Sequence, residues 1–207
     1  MNYKYIIFTL ALFTAISVSF FGLSYAQVTW NTFEEKDGLF LLQIPSNWNA
    51  SNLPETQASA PIDYIFRYND KGDSFAWIEV MINETTNLDA KSVADSYLSY
   101  YQQFDDFNLL EPIDCDTYTL NDEPACSFLS SQQLEGEQRR NVLYVVSITS
   151  EGVQTDVMFI TSNNIYEPFL PVGEYIIKSL DINSSMINLV LENQSIENKL
   201  PIERCMF

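Results

Sequence analysis

Carboxylates are the most numerous side chains in this sequence that could take part in catalysis. The chain of 207 residues has 28 acidic and 10 basic residues, and it contains no histidine. Paired carboxylates can carry out acid–base catalysis without histidine, as they do in glycoside hydrolysis. A carboxylate-based hydrolase is therefore one hypothesis, although so many acids also make chance pairs certain. The acids considered for such a pair are Asp63, Glu79, Asp105, Asp106, Asp114, Asp116 and Asp156.

The absence of histidine and the acidic charge exclude several classes of function. Without histidine there is no Ser–His or Cys–His nucleophile pair, and most zinc and copper sites are excluded. We therefore predict no catalytic residue, no metal ligand and no cofactor. The formal net charge of −18 argues against binding to nucleic acid or to an anionic lipid surface, because both require a basic patch.

A small-ligand or calcium-binding protein is an alternative hypothesis. The stretch Asn69–Asp73 is the nearest approach to a calcium loop, but its acidic spacing fails the EF-hand pattern and it lacks the bidentate glutamate. Its composition is more typical of a hairpin turn. Tyr68, Trp77 and Tyr101 could line a ligand cavity, and the competing interpretation is that they pack in the core.

Two of the three cysteines are placed to form a disulfide. Cys115 and Cys126 are nearly equidistant from a turn at Asn121–Pro124, so they should lie almost opposite each other on neighbouring strands. In an exported protein we expect them to be oxidised, and two unpaired cysteines are the alternative. Cys205 is left over and is either free or links two chains.

The N-terminus predicts export. Residues 1–26 combine Lys4, an uncharged run over Tyr5–Phe21 and the small-x-small pattern Ser24-Tyr25-Ala26, which is typical of a signal peptide. The alternative is an uncleaved anchor, in which residues 5–21 tether the protein to a membrane. Either interpretation predicts an extracellular, cell-surface or periplasm-equivalent location. In an exported chain Asn49, Asn183 and Asn193 are candidate glycosylation sites.

The stretch from Asn141 to Ser162 predicts the centre of the fold. Two runs rich in β-branched and aromatic residues flank Glu151-Gly152, which is typical of a hairpin. With that link as the loop, Val146 pairs with Val157 and Tyr144 with Phe159, and Ile148 pairs with Thr155. One face of this hairpin is then almost wholly apolar and the other is apolar over half its length. A hairpin covered on both faces indicates an α+β protein, an α/β/α sandwich around a central antiparallel sheet.

Other elements are predicted on either side of this hairpin. Periodic apolar residues predict a helix over Asp89–Phe104 with Asp89 as N-cap, and a second over Asn164–Leu180 with Pro171 in its first turn. Residues 183–207 do not continue the pattern and are predicted to be a tail. The strands predicted outside the centre are Thr29–Phe33, Leu39–Ile44, Tyr64–Tyr68, Phe75–Ile82, Leu109–Leu120, Ala125–Gln133 and Asp181-Ile182.

The order of these elements resembles the PsbP-like family. The resemblance spans about residues 29–182. It includes Trp30–Phe33, the strand-Pro-x-x-Trp pattern of Gly38–Trp48, the helix bearing Tyr97-Leu98, the hairpin through Asn121–Ala125, and Tyr166–Pro171 before a last helix. It implies the same α/β/α sandwich for a domain over residues 27–182. Known members are not catalytic and bind larger assemblies, so the resemblance implies a binding or accessory role.

This sequence departs from the photosynthetic members of that family. It has no histidine for their metal sites, and residues 27–30 are too short for their N-terminal docking extension. The exported, non-photosynthetic relatives are a closer match. We therefore predict a non-enzymatic binding domain that docks on a protein partner in a membrane or cell-surface complex.

Overall fold

The computed structural model describes residues 28–52, 58, 60–69, 74–85, 88–133 and 138–197. The predicted signal peptide, most of the turn considered as a calcium loop, and Cys205 lie outside the described residues. Within the described part, no helix is both long enough and apolar enough to cross a membrane.

A seven-stranded antiparallel sheet forms the centre of the protein. Its strand order is β3-β4-β5-β9-β8-β7-β6, and every neighbouring pair is antiparallel. The central antiparallel sheet predicted from the sequence is thus confirmed. The strands are β3 (Asn49–Asn52), β4 (Ile62–Asn69), β5 (Phe75–Glu84), β6 (Asn108–Leu120), β7 (Glu123–Gln132), β8 (Arg140–Ile148) and β9 (Val153–Ser162).

The central hairpin forms, but its predicted register is wrong by one residue. Ile148 pairs with Gln154, Val146 with Asp156, and Tyr144 with Met158. The amide of Thr149 donates to the carbonyl of Val153, and Gly152 has a φ of 84°. The loop therefore has one residue more than the predicted Glu151-Gly152 link, with glycine in the left-handed conformation. Since side chains alternate along a strand, this shift exchanges the two faces of β9 relative to β8.

One face of the sheet is covered by a second, smaller sheet and two helices. The small sheet has the order β1-β2-β10, with β1 at Trp30–Glu34, β2 at Phe40–Pro45 and β10 at Asp181–Ile182. The helices are α2 (Tyr166–Lys178), which follows a 3-10 turn at Asn163–Ile165, and α3 (Ser184–Glu197). Together they enclose the larger core, which contains Trp48 from the predicted strand-Pro-x-x-Trp pattern.

Helix α3 extends the folded domain beyond the predicted boundary. Residues 183–207 were expected to form a tail, yet Ile187 and Leu191 of α3 are buried in the larger core. Asn183 accepts hydrogen bonds from the amides of Met186 and Ile187 through its carbonyl oxygen, which fixes the start of the helix. Of the glycosylation candidates, Asn49 begins β3, Asn183 precedes α3 and Asn193 lies within α3. Their modification remains a prediction.

Helix α2 differs in detail from its predicted form. Pro168 occupies the first turn, whereas Pro171 lies inside the helix. The buried residues of the helix include Gly173, Ile176 and Ile177, while Tyr175 is 46% exposed. Tyr175 instead packs against Trp30 of β1, with ring centroids 4.3 Å apart.

The opposite face of the sheet is covered in part by helix α1 (Ala90–Tyr101), which completes the α/β/α arrangement. Asp89 is its N-cap, as predicted, and accepts a hydrogen bond from the amide of Ser92 at 2.7 Å. Val93 and Ala94 pack against β7 and β8 with Tyr144 and Phe128. The helix ends at Tyr101, before its predicted end at Phe104, and Phe104 is 44% exposed.

A bulge in the edge strand β6 positions the disulfide. Asp114 pairs with Ser127 and Tyr118 with Ala125, so the three residues 115–117 lie opposite Cys126 alone. The Asp114 carboxylate accepts hydrogen bonds from the amide of Asp116 at 3.0 Å and from the Thr117 hydroxyl, which holds the extra residues in place. The predicted disulfide between Cys115 and Cys126 is present and ties this bulge to β7.

Candidate functional site

Buried polar side chains lie on the α1 side of the sheet, where β4, β5 and β9 meet. Asp63 is 2% exposed and Asp156 is fully buried, while Glu79 lies between them and is half-buried. Burying carboxyl groups in this way requires hydrogen bonds or a bound proton. We call Asp63, Glu79 and Asp156 the carboxyl cluster.

Strand register explains why Asp63 and Glu79 meet. Ile65 is the direct partner of Glu79, and Asp63 is the partner of Met81. Asp63 and Glu79 are therefore diagonal neighbours on one face, a separation that long side chains can bridge. Asp63 helps to raise the pKa of the Glu79 carboxyl, through its charge and through side-chain hydrogen bonding.

Asp156 is held by a separate set of donors. It accepts hydrogen bonds from the Tyr144 hydroxyl, from the Gln154 side-chain amide at 2.6 Å, and from the side chain of Asn83. Burial raises the pKa of Asp156 to about 6, and these three donors act in the opposite direction. Burial, followed by the neighbouring Asp156 charge, raises the pKa of Tyr144 well above its usual value. Tyr144 therefore stays protonated and serves as a donor.

The pKa of Glu79 lies close to neutral pH. Burial is the main cause that raises its pKa to about 7, and the nearby Asp63 acts in the same direction. Arg67 and Arg140 oppose this shift through their positive charges. The Glu79 carboxyl therefore gains or loses its proton near neutrality, and the balance depends on the charge around it.

A mixed basic and aromatic surface borders the carboxyl cluster. Arg67 pairs with Trp77 across β4 and β5, and the rings of Phe75 and Trp77 stack at 4.9 Å. Arg140 reaches the same end of the sheet through its pairing with Ser162, whose hydroxyl accepts a hydrogen bond from the Phe75 amide. Arg67 is exposed, and the other three side chains are half-buried. We call Arg67, Phe75, Trp77 and Arg140 the arginine–aromatic surface.

The structure brings together only part of the acidic set considered from the sequence. Asp63 and Glu79 meet, with Asp156 on the neighbouring strand. Asp105, Asp106 and Asp116 are exposed, and Asp114 holds the bulge in β6. The described residues enclose two cavities of about 390 and 170 Å³. Leu41 is among the residues that line the larger one, and Asp114 and Glu111 are among those that line the smaller one. The carboxyl cluster thus lines neither cavity.

The aromatic residues considered for a ligand cavity separate onto the two faces of the sheet. Tyr68 packs against Phe169 on the larger-core face, with ring centroids 5.2 Å apart. Trp77 and Tyr101 lie on the opposite face, where the Tyr101 hydroxyl contacts the Met158 sulfur at 3.8 Å. They therefore do not line one cavity. Within the described ranges, no three acidic or cysteine side chains come together in a way that could hold a metal ion.

Sequence reasoning missed both arginines of this region. Arg67 follows Ile65 by two residues and Asp63 by four along β4. The strand pattern alone therefore places all three side chains on the same face of the sheet. Arg140 lies one residue before the start predicted for the central hairpin, and it is in fact the first residue of β8. The corrected register of the hairpin is what brings it towards Glu79.

We expect a Glu79→Gln variant to lose part of the pH dependence of stability. The folded-state pKa of Glu79 is about 7 and its ordinary value is 4.5, so the folded protein holds an extra proton between these pH values. The corresponding stabilisation is complete below the ordinary pKa and is lost as the pH rises through the folded one. Urea unfolding of both proteins at pH 5 and pH 8 measures it, with the exposed Glu151→Gln as control. Equal pH dependence in the wild type and in Glu79→Gln would contradict this assignment.

Comparisons with known proteins are informative at the level of the fold. No family model matches the sequence, and no curated protein matches it. LpqN of Mycobacterium tuberculosis, described as involved in cell envelope biogenesis, has 16% identity and a TM-score of 0.52, over 75% of this chain and 91% of LpqN. The cyanobacterial PsbP protein CyanoP of Synechocystis has 14% identity and a TM-score of 0.53, over 75% of this chain and 93% of CyanoP.

A third solved structure extends this similarity beyond bacteria. The Ran-binding protein Mog1p of Saccharomyces cerevisiae has 10% identity and a TM-score of 0.50, over 77% of this chain and 99% of Mog1p. At such low identity the likeness establishes the fold and no more. The chain has a Mog1/PsbP-like fold, which it shares with LpqN, CyanoP and Mog1p.

Proposed function

We propose that this protein is a non-enzymatic accessory domain that works outside the cytoplasm and docks on a protein partner in a membrane or cell-surface complex. The observation that carries the proposal is the arginine–aromatic surface. The chain has only 10 basic residues against 28 acidic ones. Yet Arg67 pairs with Trp77, and Arg140 pairs with Ser162 at the same end of the sheet, beside the stacked rings of Phe75 and Trp77.

The composition of this surface is that of a protein-binding site. Tyrosine, tryptophan, phenylalanine and arginine are enriched in the cores of protein interfaces, and tryptophan and arginine often contribute most of the binding energy. The stacked rings are already ordered by strand pairing, so little side-chain freedom is lost on binding. Phe75, Trp77 and Arg140 are half-buried, and a partner would bury their remaining exposed area.

A location outside the cytoplasm has two supports. Structural disulfides persist in oxidising compartments, and Cys115–Cys126 is such a bond. LpqN, which has the same fold, is described as involved in cell envelope biogenesis. We propose that residues 1–26 direct export, and that residues 5–21 act as a membrane tether where this segment is not cleaved. We also propose that this protein is related to the exported PsbP-like proteins, and the shared fold supports this relation.

Charge reversal at the arginine–aromatic surface is expected to abolish partner capture. Purified wild-type protein and the variants Arg67→Glu and Lys36→Glu would be immobilised and exposed to the envelope fraction of the source organism. Lys36→Glu makes the same charge change at an exposed position in the turn between β1 and β2. The proposal is supported if one protein is retained by the wild type and by Lys36→Glu, and if its retention by Arg67→Glu is at least tenfold lower. A tenfold reduction corresponds to a loss of about 1.4 kcal/mol of binding free energy.

The opposite pattern would refute this proposal. Equal retention of the same protein by Arg67→Glu and by the wild type would show that the arginine–aromatic surface takes no part in docking. Circular dichroism of both variants checks that the charge reversal leaves the fold intact. Trp77→Ala provides a second variant without a charge change and is expected to weaken retention in the same direction.

A further inference from the structure

The smaller cavity lies away from the arginine–aromatic surface, between the bulged edge strand β6 and helix α2. Its volume is about 170 Å³. Carboxyl groups, phenol rings and apolar side chains line it, and its described lining includes no lysine or arginine. We call it the β6–α2 cavity, and its lining includes Glu111, Asp114, Tyr118, Tyr166, Leu170 and Glu174.

Irregular pairing of β6 turns Glu111, Asp114 and Tyr118 to the same face of the sheet. Their direct partners on β7 are alternate residues, Leu129, Ser127 and Ala125. Alternate residues of a strand point to one face, whereas positions 111 and 114 of an unbroken strand would point to opposite faces. The bulge therefore brings both acids to a cavity whose other wall is helix α2.

The hydroxyl of Tyr166 is a buried polar group of this lining. Tyr166 is 6% exposed, and no hydrogen bond joins its hydroxyl to another of the described residues. A buried polar group without a hydrogen bond is unfavourable, and a bound molecule would supply the missing partner. Burial, followed by the charge of Glu111, raises the pKa of Tyr166 well above its usual value. The hydroxyl therefore stays neutral and can accept a hydrogen bond.

An ammonium group of the protein itself already lies beside two residues of this lining. The Lys178 Nζ atom is 3.9 Å from the Glu174 carboxylate and 5.9 Å from the centre of the Tyr118 ring. The Tyr118 hydroxyl donates a hydrogen bond to the same Glu174 side chain at 3.3 Å, which orients the carboxylate. Carboxylates and aromatic faces both attract organic ammonium groups. The walls of the β6–α2 cavity thus match an ammonium ligand.

We propose that the β6–α2 cavity binds a small aliphatic primary ammonium ion. The carboxylates of Glu174 and Glu111 and the hydroxyl of Tyr166 would accept hydrogen bonds from its three N–H donors. Its carbon chain would pack against Leu170. Binding here is independent of docking at the arginine–aromatic surface, because the two sites share no residue.

The size of the cavity and the placement of its acids favour this ligand over a metal ion or a larger molecule. Pockets for drug-sized ligands begin at about 300 Å³, so this cavity suits a ligand of a few non-hydrogen atoms. Among the described residues, no three acids come together closely enough to hold a metal ion. Asp114 already accepts hydrogen bonds from the Asp116 amide and the Thr117 hydroxyl, so it contributes mainly its negative charge.

Butylammonium chloride is the probe for this site. At pH 7 an alkylamine is protonated, since its pKa is close to the lysine value of about 10.4. In a titration followed by ¹H–¹⁵N NMR in low salt, amides of β6 and α2 should shift with one common dissociation constant, and those of β4 and β5 should not. Butanol, which lacks the charge, and tetramethylammonium, which lacks N–H donors, should bind at least tenfold more weakly.

Tyr166→Phe is the sharpest variant, because the hydroxyl that it removes has no partner among the described residues. It should leave the urea midpoint of unfolding unchanged and weaken butylammonium binding at least fivefold. Glu174→Gln should weaken binding at least tenfold. Glu151→Gln removes an exposed acid between β8 and β9 and should leave the dissociation constant unchanged.

The lysine beside the cavity provides a test in the opposite direction. Lys178→Ala removes the competing ammonium group and should strengthen butylammonium binding about threefold. Lys91→Ala is the matched control, because Lys91 forms the same i,i+4 ion pair with Asp95 on helix α1. It should not change the affinity.

Three outcomes would overturn the ammonium site. The first is equal affinity of the wild type and Tyr166→Phe for butylammonium. The second is binding of tetramethylammonium as tight as that of butylammonium, since N–H donors would then play no part. The third is a shift of the same amides by calcium chloride at lower concentration, which would make the ligand a metal ion.

A lysine derivative distinguishes two sources of the ammonium group. Nα-acetyllysine methylamide carries the same alkylammonium chain on a peptide backbone. If it binds at least as tightly as butylammonium, the natural ligand is a lysine side chain of another protein. If it binds at least tenfold more weakly, the ligand is a free amine. If neither compound shifts the amides of β6 and α2, the proposal is refuted.

Discussion

Replacing Gly173 by valine is expected to lower the free energy of unfolding by about 3 kcal/mol, because it overpacks the larger core. A Cβ atom at position 173 would lie 2.6 Å from the Phe159 ring, closer than any ordinary contact. The Phe159 ring is fully buried, so it has no space into which it can move. For a domain of this size, thermal unfolding should shift down by roughly 6–12 °C.

A compensating change tests the cause of this loss. Phe159→Ala removes the ring atoms nearest Gly173, so the double variant should be less destabilised than the sum of the two single variants. Glu167→Val is the control, because it introduces the same β-branched side chain at an exposed position of the same helix. It should lower the free energy of unfolding by less than about 1 kcal/mol. Strict additivity between positions 159 and 173 would show that the contact does not limit stability.

Removing the disulfide is expected to cost about 3 kcal/mol, the value for closing a short loop in the unfolded chain. The variant Cys115→Ala/Cys126→Ala should therefore unfold at lower urea concentration than the wild type. The effect should be local as well as global, because the bond ties the bulge of the edge strand β6 to β7. Amides of β6 should exchange with deuterium faster than those of β8 and β9.

Chemical reduction gives the control for this variant. Treating the wild type with a phosphine reductant should reproduce the loss, and the same treatment should leave the double variant unchanged. If β6 amides remain protected in the double variant, the hydrogen bonds of Asp114 to residues 116 and 117 are sufficient to hold the bulge, and the expected local effect is wrong.

The sequence predicted the layered fold because the signals for it are local. Apolar alternation, the N-cap at Asp89 and the Cys115–Cys126 spacing each depend on a few neighbouring residues. The register of the central hairpin could not be read in the same way. A two-residue and a three-residue loop are both compatible with Glu151-Gly152, and the choice depends on Thr149 pairing with Val153. That choice decides whether Asp156 or Val157 faces helix α1.

The candidate site was less predictable than the fold, for a physical reason. Asp63 and Glu79 were among the acids named from the sequence, but nothing in their spacing distinguished them from exposed acids such as Asp105. Their importance comes from burial and from the pairing of β4 with β5. The roles of Arg67 and Arg140 depend further on pairing between strands that are distant in the chain.

The pairing of β5 with β9 also has a consequence for how the chain folds. It joins residues 76–84 to residues 153–161, with helix α1 and three strands between them in the sequence. The entropy of closing so long a loop is lost before any core contact compensates for it. The β4–β5 and β8–β9 hairpins each join strands that follow one another in the sequence, so we expect their encounter to limit the rate of folding. Until they meet, each hairpin exposes an unpaired edge through which two chains can associate.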